Sequence, residues 1–478
     1  MTAQRRRLQS SRYNFFVPIA GDGILYNAAS GASMRLAGDD TSTLAHILCG
    51  APQKIKASLF PRSILNSLRR GGFLVENDAD ELTAIRARYW RARGQTPMVL
   101  TVTTTQDCNL GCYYCYESRS DDRLEQSDLP ALLNWTRQRL SETGKRSLHV
   151  DWYGGEPLLN VEFLETASQQ FQDLALDLGV AYSASIISNG TCWPHDAAAF
   201  IGRHKIRQVQ ISFDGLKSHH DKRRRYRKQY SPDRTTSSFE QAAALVDDLL
   251  EVVRVDIRFN ADSGNFEDLE GFLALCISSG WFDRPHPCVF QLARISDFST
   301  RANFLGRTKL TEDQFERLRE TARRLVPDEV MLDETTTRSI YPMPRTSVCA
   351  ALANDSIVIG ADGNHYRCGL QVGERDRSVL LRRANEDAVA GSDAKWWNEF
   401  DPTLQPNCSQ CSFLPVCWGG CPKKHLEQDT RSLDEQSLYW RKALPQKIAW
   451  RFGVVLKECD FSFTESDQFR LPTGQASE

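Results

Sequence analysis

The chain has 478 residues, 59 basic against 61 acidic side chains, 41% hydrophobic residues and 14 cysteines, a length suited to about three domains. Its net charge of −2 supplies no overall field for a polyanion, so nucleic-acid binding would need a local basic patch and none is expected as a partner. No run of ~18 apolar residues is present to span a bilayer, and the Arg-rich stretch Met1 to Gln9 leads into no apolar segment. The expected location is cytoplasmic, with no membrane partner. In that reducing setting, thiols clustered at short spacings point to metal ligation rather than disulfides.

Residues 1–95 read as a small module of their own. Three short strands are predicted at Tyr13 to Ile19, Ile24 to Asn27 and Met34 to Leu36, parted by the turn runs Gly21-Asp22-Gly23 and Ala29-Ser30-Gly31. Helices follow over Thr41 to Leu48 and Arg62 to Arg70, then Gly71-Gly72 and a strand at Phe73 to Val75. The order β-β-β-α-α-β suggests a winged-helix-like α+β domain; an accessory domain that only stabilises the rest is an equal reading. A charged, helix-favouring stretch from Asp78 to Arg93 leads out of it.

From 96 to 328 apolar strands alternate with longer helical stretches, the pattern of parallel βα units. Strands are predicted at Met98 to Thr104, Ser147 to Tyr153, Tyr182 to Ser188, Arg207 to Phe213, Val252 to Asn260 and Pro287 to Ala293. Six such units imply an α/β fold, a partial (β/α)6 TIM-like barrel whose chemistry belongs at the C-terminal strand ends. Residues 329–461 are turn-rich and cysteine-rich, as expected of a metal-nucleated, irregular third domain. A polar tail, 462–478, closes the chain.

Cys108, Cys112 and Cys115 form Cys-x3-Cys-x2-Cys directly after the first of the six strands, with Gly111 expected to allow tight curvature. Three thiolates can hold three irons of a 4Fe-4S cluster and leave the fourth iron open. Closed zinc sites also use closely spaced cysteines, but zinc takes four protein ligands, and the first His afterwards is His149.

With Tyr114 before the third cysteine, this spacing resembles the defining motif of the radical S-adenosylmethionine superfamily. Gly154-Gly155-Glu156-Pro157, ending the second strand, is similar to the family's GGEP motif, which receives the amino group of the cofactor's methionyl part. Glycines there permit backbone approach, and a carboxylate complements an ammonium. Ser188-Asn189-Gly190 and Ser212-Phe213-Asp214-Gly215 end strands three and four, where related proteins contact the ribose and carboxylate. The resemblance therefore implies S-adenosylmethionine contacts at Tyr114, Gly154, Gly155, Glu156, Pro157, Ser188, Asn189 and Ser212, and cluster ligation by the three cysteines.

The second cysteine set runs Cys349, Gly363, Cys368, then Cys408-x2-Cys411-x5-Cys417-x3-Cys421, then Cys459. It is similar to the seven-cysteine SPASM domain, which in that family binds two auxiliary 4Fe-4S clusters. The resemblance assigns Cys349, Cys368 and Cys421 to the first and Cys408, Cys411, Cys417 and Cys459 to the second, making three clusters in all. Cys49, Cys192, Cys276 and Cys288 remain, as expected of buried inert thiols. Anaerobic sulfatase maturases share these motifs but add a cysteine between the first SPASM cysteine and the glycine, and a catalytic Asp directly after the second. This chain has no cysteine in 350–362 and has Gly369 in the Asp position.

The resemblance thus implies a peptide or protein maturase that abstracts hydrogen through a 5′-deoxyadenosyl radical and installs a cross-link, a thioether before a carbon-carbon (cyclophane) bond. A sulfatase-type oxidase and a non-enzymatic iron-sulfur electron carrier or scaffold are the alternatives. Implied partners are a precursor peptide or small protein subunit, with the N-terminal module as its recognition element by strand addition, and a reductant such as ferredoxin or flavodoxin. The catalytic base is not identified. One charge run remains, with Lys222, Arg223, Arg224, Arg225, Arg227 and Lys228 around Tyr226. It reads first as a solvated loop, and second as a dock for acidic residues of the substrate through Arg225 and Arg227.

Overall fold

The computed structural model describes residues 7–19, 22–38, 41–49, 52–117, 119–231, 236–296, 305–327, 330–332, 341–345, 349–383, 386–454 and 456. The chain divides into two compact units, one of residues 1–95, 335–353 and 399–478, the other of 96–334 and 354–398. Among the described residues no helix is long and apolar enough to cross a membrane.

The first unit opens with β1 (Leu8–Ser10), β2 (Asn14–Ile19), β3 (Asp22–Asn27), β4 (Ser33–Leu36), α1 (Thr41–Leu48), β5 (Lys54–Ile55), α2 (Arg62–Arg70), β6 (Leu74–Glu76) and α3 (Glu81–Gln95). β2, β3 and β4 form the expected antiparallel meander. A second small sheet, ordered β5-β1-β6, was not expected. β1 and β5 are three and two residues long, too short for alternation to register. Phe16, Leu25, Leu48, Leu68 and Phe73 fill the core between these elements. The charged stretch does form a helix, α3, yet buries Tyr89 and Arg93. Both donate to the Phe400 carbonyl, at 2.8 and 3.0 Å, and Tyr89 stacks on Trp418 at 5.3 Å.

The second unit is mixed α/β. Its parallel strands are β7 (Met98–Thr103), β8 (Ser147–Tyr153), β9 (Ala181–Ser188), β10 (Ile206–Phe213), β11 (Arg254–Ala261) and β12 (Cys288–Arg294), within two residues of the predicted starts. They pair in chain order. β13 (Met331–Leu332) adds in parallel beside β12, and β14 (Ser356–Ile359) in parallel beside β7. β15 (His365–Tyr366), β16 (Leu380–Arg383) and β17 (Glu386–Ala390) continue antiparallel from β14, giving eleven strands in one sheet. The segment 354–398 therefore folds with the parallel strands.

Strict period-two alternation builds two unlike faces. Leu148, Val150 and Trp152 of β8, Val209, Ile211 and Phe213 of β10, and Val255, Ile257 and Phe259 of β11 are buried in one continuous apolar core. Helices α4 (Leu129–Thr143), α5 (Val161–Leu178), α6 (Ala197–Arg203), α7 (Lys217–Arg223), α8 (Ser238–Leu249), α9 (Asp268–Ser278) and α10 (Glu312–Leu325) connect the strands. α4, α5, α6, α8, α9 and α10 all supply side chains to that core. The alternate positions are polar. His149 bonds Asp151 at 3.1 Å and Ser183 at 2.8 Å, and Gln208 bonds Asp256 at 2.8 Å. A sheet with one polar face keeps that face for a site rather than for packing.

Candidate functional site

A cavity of about 280 Å³ opens where these strands end. Cys108, Cys112 and Cys115 all line it, together with Tyr114, Gly154, Gly155, Ser188, Asn189 and Ser212. Predicted residues from four separate segments thus line one cavity. Glu156 and Pro157 do not line it. Pro157 is buried at the start of a 3-10 turn and its carbonyl accepts from Thr104 Oγ1 at 3.0 Å.

Glu156 is fully buried. Its Oε2 accepts from the Asn189 backbone N–H at 2.8 Å, and its Oε1 from Ser188 Oγ at 3.0 Å and the Leu158 N–H at 3.3 Å. It holds two lining residues, Ser188 and Asn189, in place. Burial pushes its pKa up to about 7 against the pull of those three donors.

The two glycines before it are required by the cysteine loop itself. A Cβ on Gly154 would stand 2.4 Å from the Thr105 carbonyl oxygen, and one on Gly155 2.3 Å from that of Asp107. Gly155 N–H and Glu156 N–H donate to those same carbonyls, each at 3.0 Å. Gly111, by contrast, has no left-handed φ, and a Cβ there would make only ordinary contacts, at 3.6 Å to the Arg225 carbonyl oxygen and the Arg227 side chain, so it is not the curvature device expected of it.

Asn109 and Asn189 join the cysteine loop to the loop after β9. Asn189 Nδ2 donates to Asn109 Oδ1 at 2.8 Å and approaches Cys108 Sγ at 3.7 Å, while Asn109 Nδ2 reaches Thr191 Oγ1 at 2.7 Å and Cys192 Sγ at 3.0 Å. Cys192 is accordingly half-buried against the site, while Cys49, Cys276 and Cys288 are buried as expected.

The basic run is solvated only in part, at the exposed Lys222, Arg225 and Lys228. Arg223 and Arg224 are 8% and 7% exposed. Arg223 pairs with Asp214 at 3.1 Å and Asp262 at 3.0 Å, and Arg224 donates to Tyr114 OH at 2.7 Å. Tyr114 OH in turn donates to Asp214 at 2.6 Å. Gly111 N–H donates to the Arg225 carbonyl at 2.7 Å, Arg227 N–H to that of Asn109 at 2.9 Å, and the Arg227 guanidinium binds Asp107 and the Cys108 carbonyl. The run clamps the cysteine loop, and Arg227 is not available as a substrate dock. A periodicity reading has no signal for this, because most of the partners, Tyr114, Asp107, Asn109 and Asp262 among them, lie far away in sequence.

Sequence reasoning also missed Gln106, in the loop after β7, and Tyr153, Arg258 and Asn260, which line the cavity from polar strand positions. Arg258 bonds Asn260 at 3.2 Å and Gln291 at 3.3 Å. Tyr153 contacts the Tyr116 hydroxyl. The inward, polar phase of β8 and β11 carried that information.

Among the described residues no three His, Cys, Asp or Glu side chains converge to hold a single metal ion. A cubane needs no such convergence, since each thiolate takes a different iron. Burial pushes all three loop thiols up, Cys115 to about 11, so ligation of a cation there must displace their protons. The donor set, three soft ligands lining one cavity, fits an iron-sulfur cluster.

The second cysteine set is split between the units. In the first, Cys408, Cys411 and Cys417 lie within electrostatic reach of one another, as do Cys349 and Cys421. A Cβ on Gly419, at φ +75°, would stand 3.1 Å from Cys408 Sγ. Cys368 belongs to the second unit, where it and Cys115 both act electrostatically on Tyr153. Cys459 lies outside the described residues, as does the tail 462–478.

Comparison with known proteins places this cavity in a defined domain. Residues 102–262 match the model of the Radical SAM superfamily, and the chain carries a radical SAM domain there. It is 25% identical over 326 residues to a serine-type anaerobic sulfatase-maturating enzyme of Klebsiella pneumoniae, covering 66% of this chain and 79% of that one. The corresponding Klebsiella aerogenes enzyme is 27% identical over 333 residues, covering 66% and 77%. The solved structure of native anSMEcpe with bound AdoMet shares the fold, with a TM-score of 0.52, 17% identity, and 75% of this chain and 100% of that one covered.

Proposed function

We propose that this protein is a radical S-adenosylmethionine oxidoreductase acting on a peptide, a maturase that installs an intra-peptide cross-link, with a thioether favoured. The observation that carries the reading is the single cavity lined by Cys108, Cys112, Cys115, Gly154, Gly155, Ser188, Asn189 and Ser212. The three thiols would hold the cluster, and the Gly154–Gly155 backbone with Ser188, Asn189 and Ser212 would hold the cofactor. When bound and reduced, that pair supplies a 5′-deoxyadenosyl radical able to take hydrogen from an unactivated carbon.

The chain's own residues position and shield that chemistry. Glu156 fixes Ser188 and the Asn189 backbone, the Asn109–Asn189 pair fixes the cysteine loop, and Arg224 with Asp214 fixes the Tyr114 ring. We further propose two auxiliary clusters on the seven cysteines from Cys349 to Cys459, the N-terminal module as the binder of the precursor peptide, and a small protein reductant as electron source. An absent fourth cysteine for the first auxiliary cluster favours a thioether, because a substrate thiolate can bind there.

A sulfatase-type oxidation is the second reading, favoured by the 25% and 27% identities to sulfatase-maturating enzymes. Gly369 stands against it, since no carboxylate follows Cys368 to act as base. A carbon-carbon cross-link is the third. The test is reconstituted enzyme, dithionite and S-adenosylmethionine with synthetic peptides carrying Cys or Ser. A product lighter by two hydrogens that has lost its free thiol supports the cross-link. A product that reacts with a hydrazide probe carries an aldehyde and supports the sulfatase-type reading.

A further inference from the structure

Tyr13 sits just before β2 in the first unit and is fully buried, and its hydroxyl has no hydrogen-bond partner among the described residues. A buried unpaired hydroxyl costs roughly 1–3 kcal/mol, so such groups call for an explanation. Its surroundings supply one. The Arg12 guanidinium that lies 5.4 Å from its ring also reaches the Ser409 carbonyl, between Cys408 and Cys411, so the phenol is buried beside that cysteine loop.

Two cations approach the same loop from opposite ends of the chain. Arg12 Nη2 donates to the Ser409 carbonyl at 2.9 Å, between Cys408 and Cys411, and its guanidinium lies 5.4 Å from the Tyr13 ring. Arg441, on the helix Thr430–Arg451, lies over the Phe413 ring at 5.3 Å, two residues beyond Cys411. Phe413 packs edge-on against Phe15 at 4.7 Å, which ties the loop to β2. Glu81 and Asp80 are the acids acting on Tyr13; Glu81 is engaged by Ser11 Oγ and the Arg12 N–H, and Asp80 by Thr83.

We infer that Tyr13 and Arg12, from the N-terminal segment, and Arg441 are positioning residues for the iron-sulfur centre at Cys408, Cys411 and Cys417, the hydroxyl donating a hydrogen bond to its sulfur and the guanidinium groups offsetting its negative charge. This rests on the proposed auxiliary cluster at those cysteines. Donors to cluster sulfur and nearby positive charge favour the reduced, more negative state and raise the reduction potential. The N-terminal module thereby sets how readily this centre accepts an electron, a role separate from holding a peptide.

The test is an EPR-monitored redox titration of the full chain, reconstituted anaerobically with iron and sulfide. Tyr13→Phe keeps the ring and removes the donor, and Arg12→Gln removes a charge at the surface of the same loop. One cluster's signal is expected to move to lower potential in each variant, further in the double variant, with iron content unchanged. That signal is identified as the one lost in Cys408→Ala. Potentials equal to the parent in both single variants overturn the inference. A parent chain that binds only one cluster, with Cys408→Ala losing no iron, overturns the auxiliary-cluster reading and this inference with it.

Discussion

Glu156 Oε2 accepts the Asn189 backbone N–H at 2.8 Å in a position with no solvent exposure. The GGEP carboxylate thereby braces the loop after β9 and the cavity-lining residues Ser188 and Asn189. Burial raises its pKa to about 7. Between its ordinary value of 4.5 and that value the folded chain binds more protons than the unfolded one, so stability falls as pH rises across the window.

Glu156→Gln is expected to flatten that slope. Urea titrations of the cluster-free chain between about pH 4.5 and 7 measure it, and the full span is of order 3 kcal/mol. A slope unchanged in the variant would show that Glu156 is not the titrating group. The same variant leaves one of three donors without an acceptor, so its affinity for S-adenosylmethionine should weaken through a displaced Asn189.

Gly155→Ala tests the contact with the cysteine loop. Its Cβ would meet the Asp107 carbonyl oxygen at 2.3 Å, and backbone on both sides cannot yield cheaply. A loss of about 2–4 kcal/mol is expected, together with reduced iron binding at the adjacent cysteines. Gly111→Ala, whose Cβ would make only ordinary contacts at 3.6 Å, should retain both stability and iron.

Arg223→Met should be the most destabilising change near the site. It leaves Asp214 and Asp262, both fully buried, without their shared cation, a loss of about 3–5 kcal/mol. Thermal unfolding measures this, and a Tm equal to that of the parent would show that the pairs contribute nothing net.

Much of the second unit could be read from the sequence because its six apolar strands alternate with longer helical stretches, and β8 alternates cleanly between its faces. Leu148, Val150 and Trp152 mark one face of β8, and Tyr153 the other. Local patterns cannot show what that polar face contacts, so Tyr153 and Arg258 went unnoticed as cavity residues. The Arg223–Arg227 run was misread for a related reason. A charge run in isolation reads as solvated, whereas here Asp214, Asp262 and Asp107 neutralise it from other loops. Gly154 and Gly155 were legible as positions of close backbone approach, but their partners are Thr105 and Asp107. In the first unit β1 and β5 escaped notice because two or three residues carry no period.

The triple variant Cys108→Ala, Cys112→Ala, Cys115→Ala should lose about four irons per chain, the content of one cubane, with the other cysteines retaining theirs. Iron analysis after anaerobic reconstitution decides it, and unchanged iron content would contradict the ligand assignment.

The most direct measurement is chromatography for 5′-deoxyadenosine after the reconstituted chain is incubated with dithionite and S-adenosylmethionine. Deoxyadenosine from the parent and none from the triple cysteine variant is the predicted result. No deoxyadenosine from a parent carrying its full iron would contradict the cavity's assignment to radical chemistry and leave the electron-carrier reading in its place.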